Sequence, residues 1–358
     1  MRALYDHLSN ATPETSSRIA ASLAELRLEI ARIGCVRRPT GRILLELACH
    51  VACMLGGAAL FLASSRFAVE ALGVLLSAWG CIGIASNSHT SSHYATSASR
   101  RINEALTFFG YSFCLGLSAL FWWSDHAEHH AAPNVPGRDD DFDYAPIFSV
   151  DAAVVEQAGP PRRWYYGNLQ RFLLPPALFF MGFNLQRRGV GWLWQNRGRA
   201  RQRWWIDVLL LAAHAAVFLV LPARLFGITP VIEFYTLRMF ILGWGLFAIL
   251  APAHFPQEAA LVAPEMADGL GYAELQTITT VNYSGGRLLA WISSGLGYQI
   301  EHHLFPGVGH PHYARISPLI QDFCRRNHLP YRSYPFAEAL GRSWHVFRHP
   351  KRALVRHL

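Results

Sequence analysis

The chain has 358 residues, 52% of them hydrophobic and 13% aromatic, with a mean hydropathy of +0.17. Only 16% are charged, against about 25% in an ordinary soluble domain, which excludes a simple soluble globule and points to a membrane protein with a substantial polar portion. The formal charge of +8 is carried almost entirely by arginine, since Lys351 is the one lysine, and the six scattered cysteines form no CxxC pair that would support a disulfide framework or a thiolate metal site.

The first 40 residues lack the short apolar core of a secretory signal, and residues 1–43 form the N-terminal segment. They are expected to be cytosolic, with one amphipathic helix from about Pro13 to Ile33, opened by Thr12-Pro13-Glu14 as cap and first turn and lying on the membrane surface. Four stretches then reach the ~20 residues needed to cross a bilayer core: about 44–64, 67–87, 204–222 and 231–253. The first two are separated by little more than Ser65 and Arg66, so they form a tight hairpin, and "ARLFGITP" joins the last two. Two shorter apolar runs, 105–123 and 172–183, are expected to be interfacial or buried cytosolic segments; the second is interrupted by Pro175-Pro176.

Arginine placement sets the sidedness. Seven arginines precede the first span, twelve lie between the second and third, and nine follow the fourth together with Lys351, whereas the two short hairpin loops carry only Arg66 and Arg224. The positive-inside rule therefore puts both termini and the segments 88–203 and 254–358 in the cytoplasm. This asymmetry accounts for the basic charge without nucleic acid. The expected architecture is an all-α multi-pass membrane protein: four transmembrane helices under a helical cytosolic cap, with no internal repeat.

The 17 histidines are clustered. His89 and His93 stand four apart in "SHTSSH"; His126, His129 and His130 stand at i, i+3, i+4; and His302 and His303 follow Gln299 at the same offsets in "QIEHHLFP". On a helix such spacings place side chains on one face, about 5–6 Å apart at Cβ, so that imidazoles can converge on an ion. His89 lies just beyond the cytoplasmic end of the second span and His254, in "APAHF", at the end of the fourth, so all eight can share one depth. Eight imidazoles suit two ions. Imidazole binds Fe, Zn and Cu alike, so ligand type does not name the metal. "HAEHH" is neither HExxH nor HxxEH, and Glu128 beside His129 does not give the ExxH spacing of carboxylate di-iron bundles. Only His50 and His214 lie within spans, too few for paired haem ligands; both are read as packed, hydrogen-bonded residues, and His310 and His312 as surface residues.

The three clusters, in the order HxxxH, HxxHH and QxxHH, resemble the histidine boxes of the membrane fatty acid desaturase family. "HHAAPNVPGRDDDFD" and "YQIEHHLFP" are similar to the front-end acyl desaturases, and the similarity runs from about residue 44 to 335. The resemblance implies two iron ions activating O2 to remove hydrogen from unactivated methylenes of a fatty acyl lipid, with His89, His93, His126, His129, His130, His254, His302 and His303 as metal ligands. It makes Gln299, where many relatives have histidine, a ligand or a hydrogen-bonding neighbour, and Asp139, Asp141 and Asp143 acceptors behind the ligands. Two departures stand out. Thr90 occupies a first-box position usually held by an acid, which leaves the tuning of that cluster open. No HPGG motif of a fused cytochrome b5 occurs, so electrons are expected from a separate ferredoxin or cytochrome b5 with its reductase. Hydroxylation, epoxidation or ketone formation on the same scaffold is the alternative chemistry, and a non-catalytic metal-binding protein the alternative class.

Overall fold

Helix α1 (Pro13–Arg32) departs from the sequence expectation in the computed structural model, which describes residues 13–140, 144–198 and 201–355. Its apolar stripe, Ile19, Leu23, Leu26 and Ile30, is buried in a cluster with Ile316, Ile320 and Phe323, not laid on a bilayer. An apolar stripe specifies only that it must be covered; here the cover comes from the other end of the chain. Four such side chains contribute about 1.5–3 kcal/mol each when buried.

Helices α2 (Thr40–Leu62) and α3 (Phe67–Ser92) form the expected hairpin. They approach closely because glycines lie at the crossing: a Cβ on Gly57 would stand 2.4 Å from the Gly73 carbonyl, and one on Gly80 2.4 Å from the Met54 nitrogen. Small residues at such a contact let backbones meet where the hydrophobic effect gives no drive to associate. α3 runs five residues past the expected end at 87, so His89 is inside the helix and not one turn beyond it.

The 105–123 run becomes a buried bent pair. α4 (Arg100–Cys114, its last seven residues in π-helical form) meets α5 (Ala119–Ala131) at 113°, with the turn at Gly116 in the left-handed region at φ +66°. Four short helices follow: α6 (Ala152–Gln157), α7 (Pro160–Asn168), α8 (Gln170–Phe179) and α9 (Met181–Gln195). The 172–183 run spans the last two, burying Leu174 and Leu178 while leaving Phe172, Phe179 and Phe180 exposed, as an interfacial segment would. α10 (Gln202–Phe226) and α11 (Ile228–His254) complete four helices long and apolar enough to cross a membrane. The protein is thus an all-α integral membrane protein. The remaining chain supplies α12 (Pro264–Ala267), α13 (Tyr272–Ile278), α14 (Gly286–Ile292), α15 (Gln299–Leu304), α16 (Tyr313–Arg326) and α17 (Phe336–His345). A short parallel pair, Asn282–Ser284 with Ser333–Pro335, ties the two ends of this cap together.

One buried carboxylate fixes the bent pair. Asp207 of α10 is fully buried and accepts hydrogen bonds from Ser112 Oγ (2.5 Å), Ser118 Oγ (2.6 Å) and the Leu120 amide (3.0 Å). It therefore sits at the N-terminus of α5, where the free N–H groups and the helix dipole favour an anion. Replacing Asp207 with Ala strands these buried donors, at about 1–3 kcal/mol each. Asp207→Ala is expected to lower the thermal midpoint of the solubilised protein and its metal stoichiometry together, with Asp207→Asn intermediate; an unchanged midpoint would show that α5 is held by other contacts.

Candidate metal centre

Four chain segments deliver imidazoles to one end of the bundle. The last turn of α3 carries His89 and places His93 at its C-cap; α5 carries His126, His129 and His130 on one face. α11 ends on His254, and α15 presents Gln299, His302 and His303. Two groups result, in each of which the ligand atoms lie within 4.8 Å of one another: His89, His93, His126, His130 and His302 in one, His129, His254 and His303 in the other. The eight sequence-predicted histidines are thus all brought together, divided five and three.

The spacing within the larger group is that of ligands around an ion. Nε2 of His126 lies 2.8 Å from Nε2 of His89 and 2.9 Å from that of His93, and the Nε2 atoms of His130 and His302 are 3.0 Å apart. Two nitrogens each about 2.1 Å from one ion at right angles are about 3.0 Å apart. Burial and then the neighbouring imidazoles push His302 and His303 far below the ordinary histidine range, so their rings are neutral with lone pairs available. In the smaller group, Nε2 of His303 and Oε1 of Gln299 are buried and have no hydrogen-bond partner among the described residues. These orphaned atoms and the neutral imidazole donor set fit a metal.

Three of the rings are anchored through the nitrogen facing away, which selects the tautomer that leaves Nε2 free. His129 Nδ1 pairs with Asp139 Oδ2 at 2.9 Å, and Asp139 also accepts the Asn134 amide at 2.7 Å. Burial would raise the Asp139 carboxyl, but His129 and that amide outweigh it and hold the group below its ordinary value. Asp139 thus stands where an acceptor was expected; Asp141 and Asp143 lie outside the described residues. His303 Nδ1 donates to Gln276 Oε1 at 2.7 Å, and Gln276 Nε2 donates to the His130 carbonyl, which fixes the amide's orientation. His302 Nδ1 meets the Tyr313 hydroxyl at 3.0 Å. Gln299 Nε2 is 2.9 Å from His254 Nε2, and half a turn of the amide exchanges this donor for Oε1. Gln276 and Tyr313 carried no signal in the sequence, because neither stands at a fixed offset from a histidine.

His310 is a correction: it is buried, not on the surface. Its Nδ1 lies 2.8 Å from Thr90 Oγ1 and its Nε2 2.7 Å from Glu46 Oε2, and Glu46 accepts from Arg42 Nε at 3.0 Å. The carboxylate missing at position 90 is therefore reached from Thr90 through one intervening side chain, His310. His312 is half-buried, with its ring 3.0 Å from the Arg37 carbonyl. His214 is packed and hydrogen-bonded as expected, to the Phe113 carbonyl (2.8 Å) and the Tyr235 hydroxyl (3.0 Å). His50 is packed against Trp291 with ring centroids 4.3 Å apart, and among the described residues neither ring nitrogen has a partner at good hydrogen-bond geometry.

A bundle of apolar helices carrying two imidazole groups at one end defines a membrane protein with a site that could hold metal. The chain belongs to the fatty acid desaturase family, whose model matches residues 65–335. It is 30% identical over 230 residues to "Fatty acid desaturase 3" of Bos taurus, covering 63% of this chain and 49% of that protein. It is 28% identical to "Delta(5) fatty acid desaturase fat-4" of Caenorhabditis elegans over 68% of this chain and 55% of the relative. "Delta(8)-fatty-acid desaturase 2" of Arabidopsis thaliana is 25% identical over 70% and 57%. The chain thus spans about half the length of the curated relatives it matches.

Removing the acceptor that orients His303 tests the anchoring. Gln276→Leu is expected to weaken metal retention about 10–100-fold, read as metal per chain after dialysis against graded chelator. Retention equal to the parent would show that Gln276 does not set the His303 tautomer.

Proposed function

We propose that the chain is an O2-dependent fatty acyl desaturase with two iron ions, one held by His89, His93, His126, His130 and His302 and the other by His129, His254 and His303, with Gln299 as its neighbour or fourth ligand. The observation that carries this reading is the five-and-three division of imidazoles at one end of a membrane bundle. When bound there, iron supplies the oxidising power drawn from O2 that an unactivated C–H bond requires. The reaction converts two adjacent methylenes to a double bond and O2 to two waters, with two electrons and two protons supplied from outside. The protein's own part is positional. Asp139, Gln276 and Tyr313 hold the ligand rings, the buried cluster excludes bulk water, and the distance from the acyl head group to the centre decides which methylenes are oxidised. Relatives named for Delta(5) and Delta(8) desaturation support the front-end regiochemistry read from "QIEHHLFP", which places the new bond on the carboxyl side of an existing one.

Electrons come, in this reading, from a separate acidic carrier, ferredoxin or cytochrome b5 with its reductase, docking on an arginine-rich face that the positive-inside rule places in the cytoplasm with both termini. Arg197 and Arg203, flanking the third span, belong to that face.

Expressed in a host fed defined fatty acids, the protein is expected to give products two hydrogens lighter than an unsaturated substrate. Mass spectrometry should place the new bond on the carboxyl side. His129→Ala and His302→Ala should abolish product and lower iron content. Full activity in either would overturn the ligand assignment, and preference for a saturated chain with a mid-chain product would overturn the regiochemistry alone. Turnover with an acidic carrier should fall as ionic strength rises, and reporters fused at residues 65 and 226 should read as extracytoplasmic; a salt-independent rate or a cytoplasmic reporter would sink the docking or the orientation respectively.

A further inference from the structure

The arginines around α17 are of two kinds. Arg342 pairs with Glu338 at 2.8 Å and also with Glu258, and Arg352 pairs with Glu156 at 2.6 Å. Arg171 and Arg348 form no ion pair among the described residues. Arg171 is the second residue of α8, and Arg348 lies three residues beyond the end of α17. The Arg171 guanidinium leans over the Phe172 ring at 4.5 Å, while its Nε is buried without a hydrogen-bond partner among the described residues.

Both cations face one open groove of about 510 Å³, lined with them by Phe172, Pro175, Gly341, Trp344 and His345. That volume lies in the ~300–1,000 Å³ range of ligand sites. Among the described residues no carboxylate lines it. One buried amide holds the two walls. Gln170 Oε1 accepts the Ser149 amide at 2.9 Å, and its Nε2 donates to the Phe347 carbonyl at 2.8 Å. Gln170 adjoins Arg171 and Phe347 adjoins Arg348, so a single side chain fixes the backbone beside each cation before anything binds. Two like charges facing one groove repel each other unless an anion lies between them.

The groove also has a definite depth. The Trp344 ring stacks on Trp244 of α11 with centroids 6.3 Å apart. Trp244 is sixteen residues from Ile228, at the end of α11 remote from His254, or about 24 Å along the helix in a bilayer core ~30 Å thick. The groove therefore opens near the head-group layer on the metal side, where α8 also exposes Phe172, Phe179 and Phe180.

We infer that this groove binds the phosphate of a glycerophospholipid from that leaflet, with Arg171 and Arg348 as its two cations. Guanidinium forks match phosphate oxygens, and basic pockets at the membrane surface take anionic head groups for that reason. A free phosphate offers the same oxygens but brings no chains to meet the exposed phenylalanines of α8. The assignment concerns a head group and does not depend on the desaturase reading.

The test uses the full chain in neutral detergent with a phosphatidylglycerol bearing a diazirine in its head group, cross-linked peptides being mapped by mass spectrometry. Label is expected on residues 171–176 and 341–348, competed by unlabelled phosphatidylglycerol but not by diacylglycerol or by equimolar inorganic phosphate. It should fall about tenfold or more when Arg171→Gln is combined with Arg348→Gln. It should keep its parent level when Arg162→Gln is combined with Arg163→Gln, which removes the same charge from exposed positions of α7. A Cβ on Gly341 meets nothing within 4 Å, so Gly341→Trp obstructs the groove and leaves both arginines in place. That variant should also lose the label, and it decides the matter if the double variant does not fold. Unchanged label in the Arg171 and Arg348 pair or in Gly341→Trp, or an equal fall in the Arg162 and Arg163 pair, would overturn the site. Full competition by diacylglycerol would overturn the phosphate, and full competition by inorganic phosphate the lipid source.

Discussion

Eight imidazoles held within a few ångströms of one another, away from water, are the constraint on which the rest of the structure depends. His302 and His303 cannot relieve the crowding by taking up a proton, because burial and the neighbouring rings disfavour the charged form. Nor can the converging Nε2 atoms satisfy one another as hydrogen bonds throughout, since neutral rings have one N–H each and several of these already face outward to fixed acceptors. A cation would make the arrangement favourable. Without one the helices must hold the rings in place against that cost, so the scaffold has to be stiff where four separate segments end.

Stiffness comes from buried polar groups, each anchoring one of those segments. Asp207 holds the start of α5 through two serines and backbone amides. The end of α11 is gripped at the His254 carbonyl by Asn134 Nδ2 (3.0 Å) and Lys351 Nζ (2.8 Å), and Asn134 also reaches the carbonyls of Ala260 and Thr279. Burial pushes the one lysine of the chain well below its ordinary pKa, and its hydrogen bonds reach the His254 and Ala259 carbonyls. α15 is held by Glu301, which accepts from Asn282 (2.8 Å) and Tyr331 (2.6 Å), while Asn282 Oδ1 accepts the Ile300 amide. Burial raises the Glu301 carboxyl above its usual range, which its three hydrogen-bonding neighbours only partly oppose. Removing one member of such a network costs more than its own bond, because the others are left buried and unpaired.

The parts legible in the sequence were those that repeat at a fixed offset. Helical spacing placed His126, His129 and His130 on one face, and hydropathy located four spans to within a few residues. What it could not give was any contact between distant segments. The stripe of α1 reads identically whether lipid or Ile316 and Phe323 cover it, so the helix was assigned to the membrane surface when it belongs to the cap. Asp207 sat inside an apolar window and was averaged into it. His310 was assigned to the surface because nothing near it in sequence pairs with it; its partners are 220 and 264 residues away.

The Thr90–His310–Glu46 chain shows how a departure from the family pattern is accommodated. An acid at position 90 would bring its charge directly beside His89, whereas a threonine hydroxyl can only relay, accepting or donating according to the tautomer of His310. The carboxylate is supplied instead by Glu46, one helix away, which also accepts from Arg42 at the rim. The arrangement joins α2, which bears no ligand, to the histidine-bearing end of α3 and to the loop that follows the third box. A hairpin packed glycine to glycine has little side-chain volume with which to fix its rotation, and this buried relay supplies a directional contact at the end where rotation would scatter the ligands. Its middle link keeps the carboxylate further from the imidazoles than a direct acid at position 90 would.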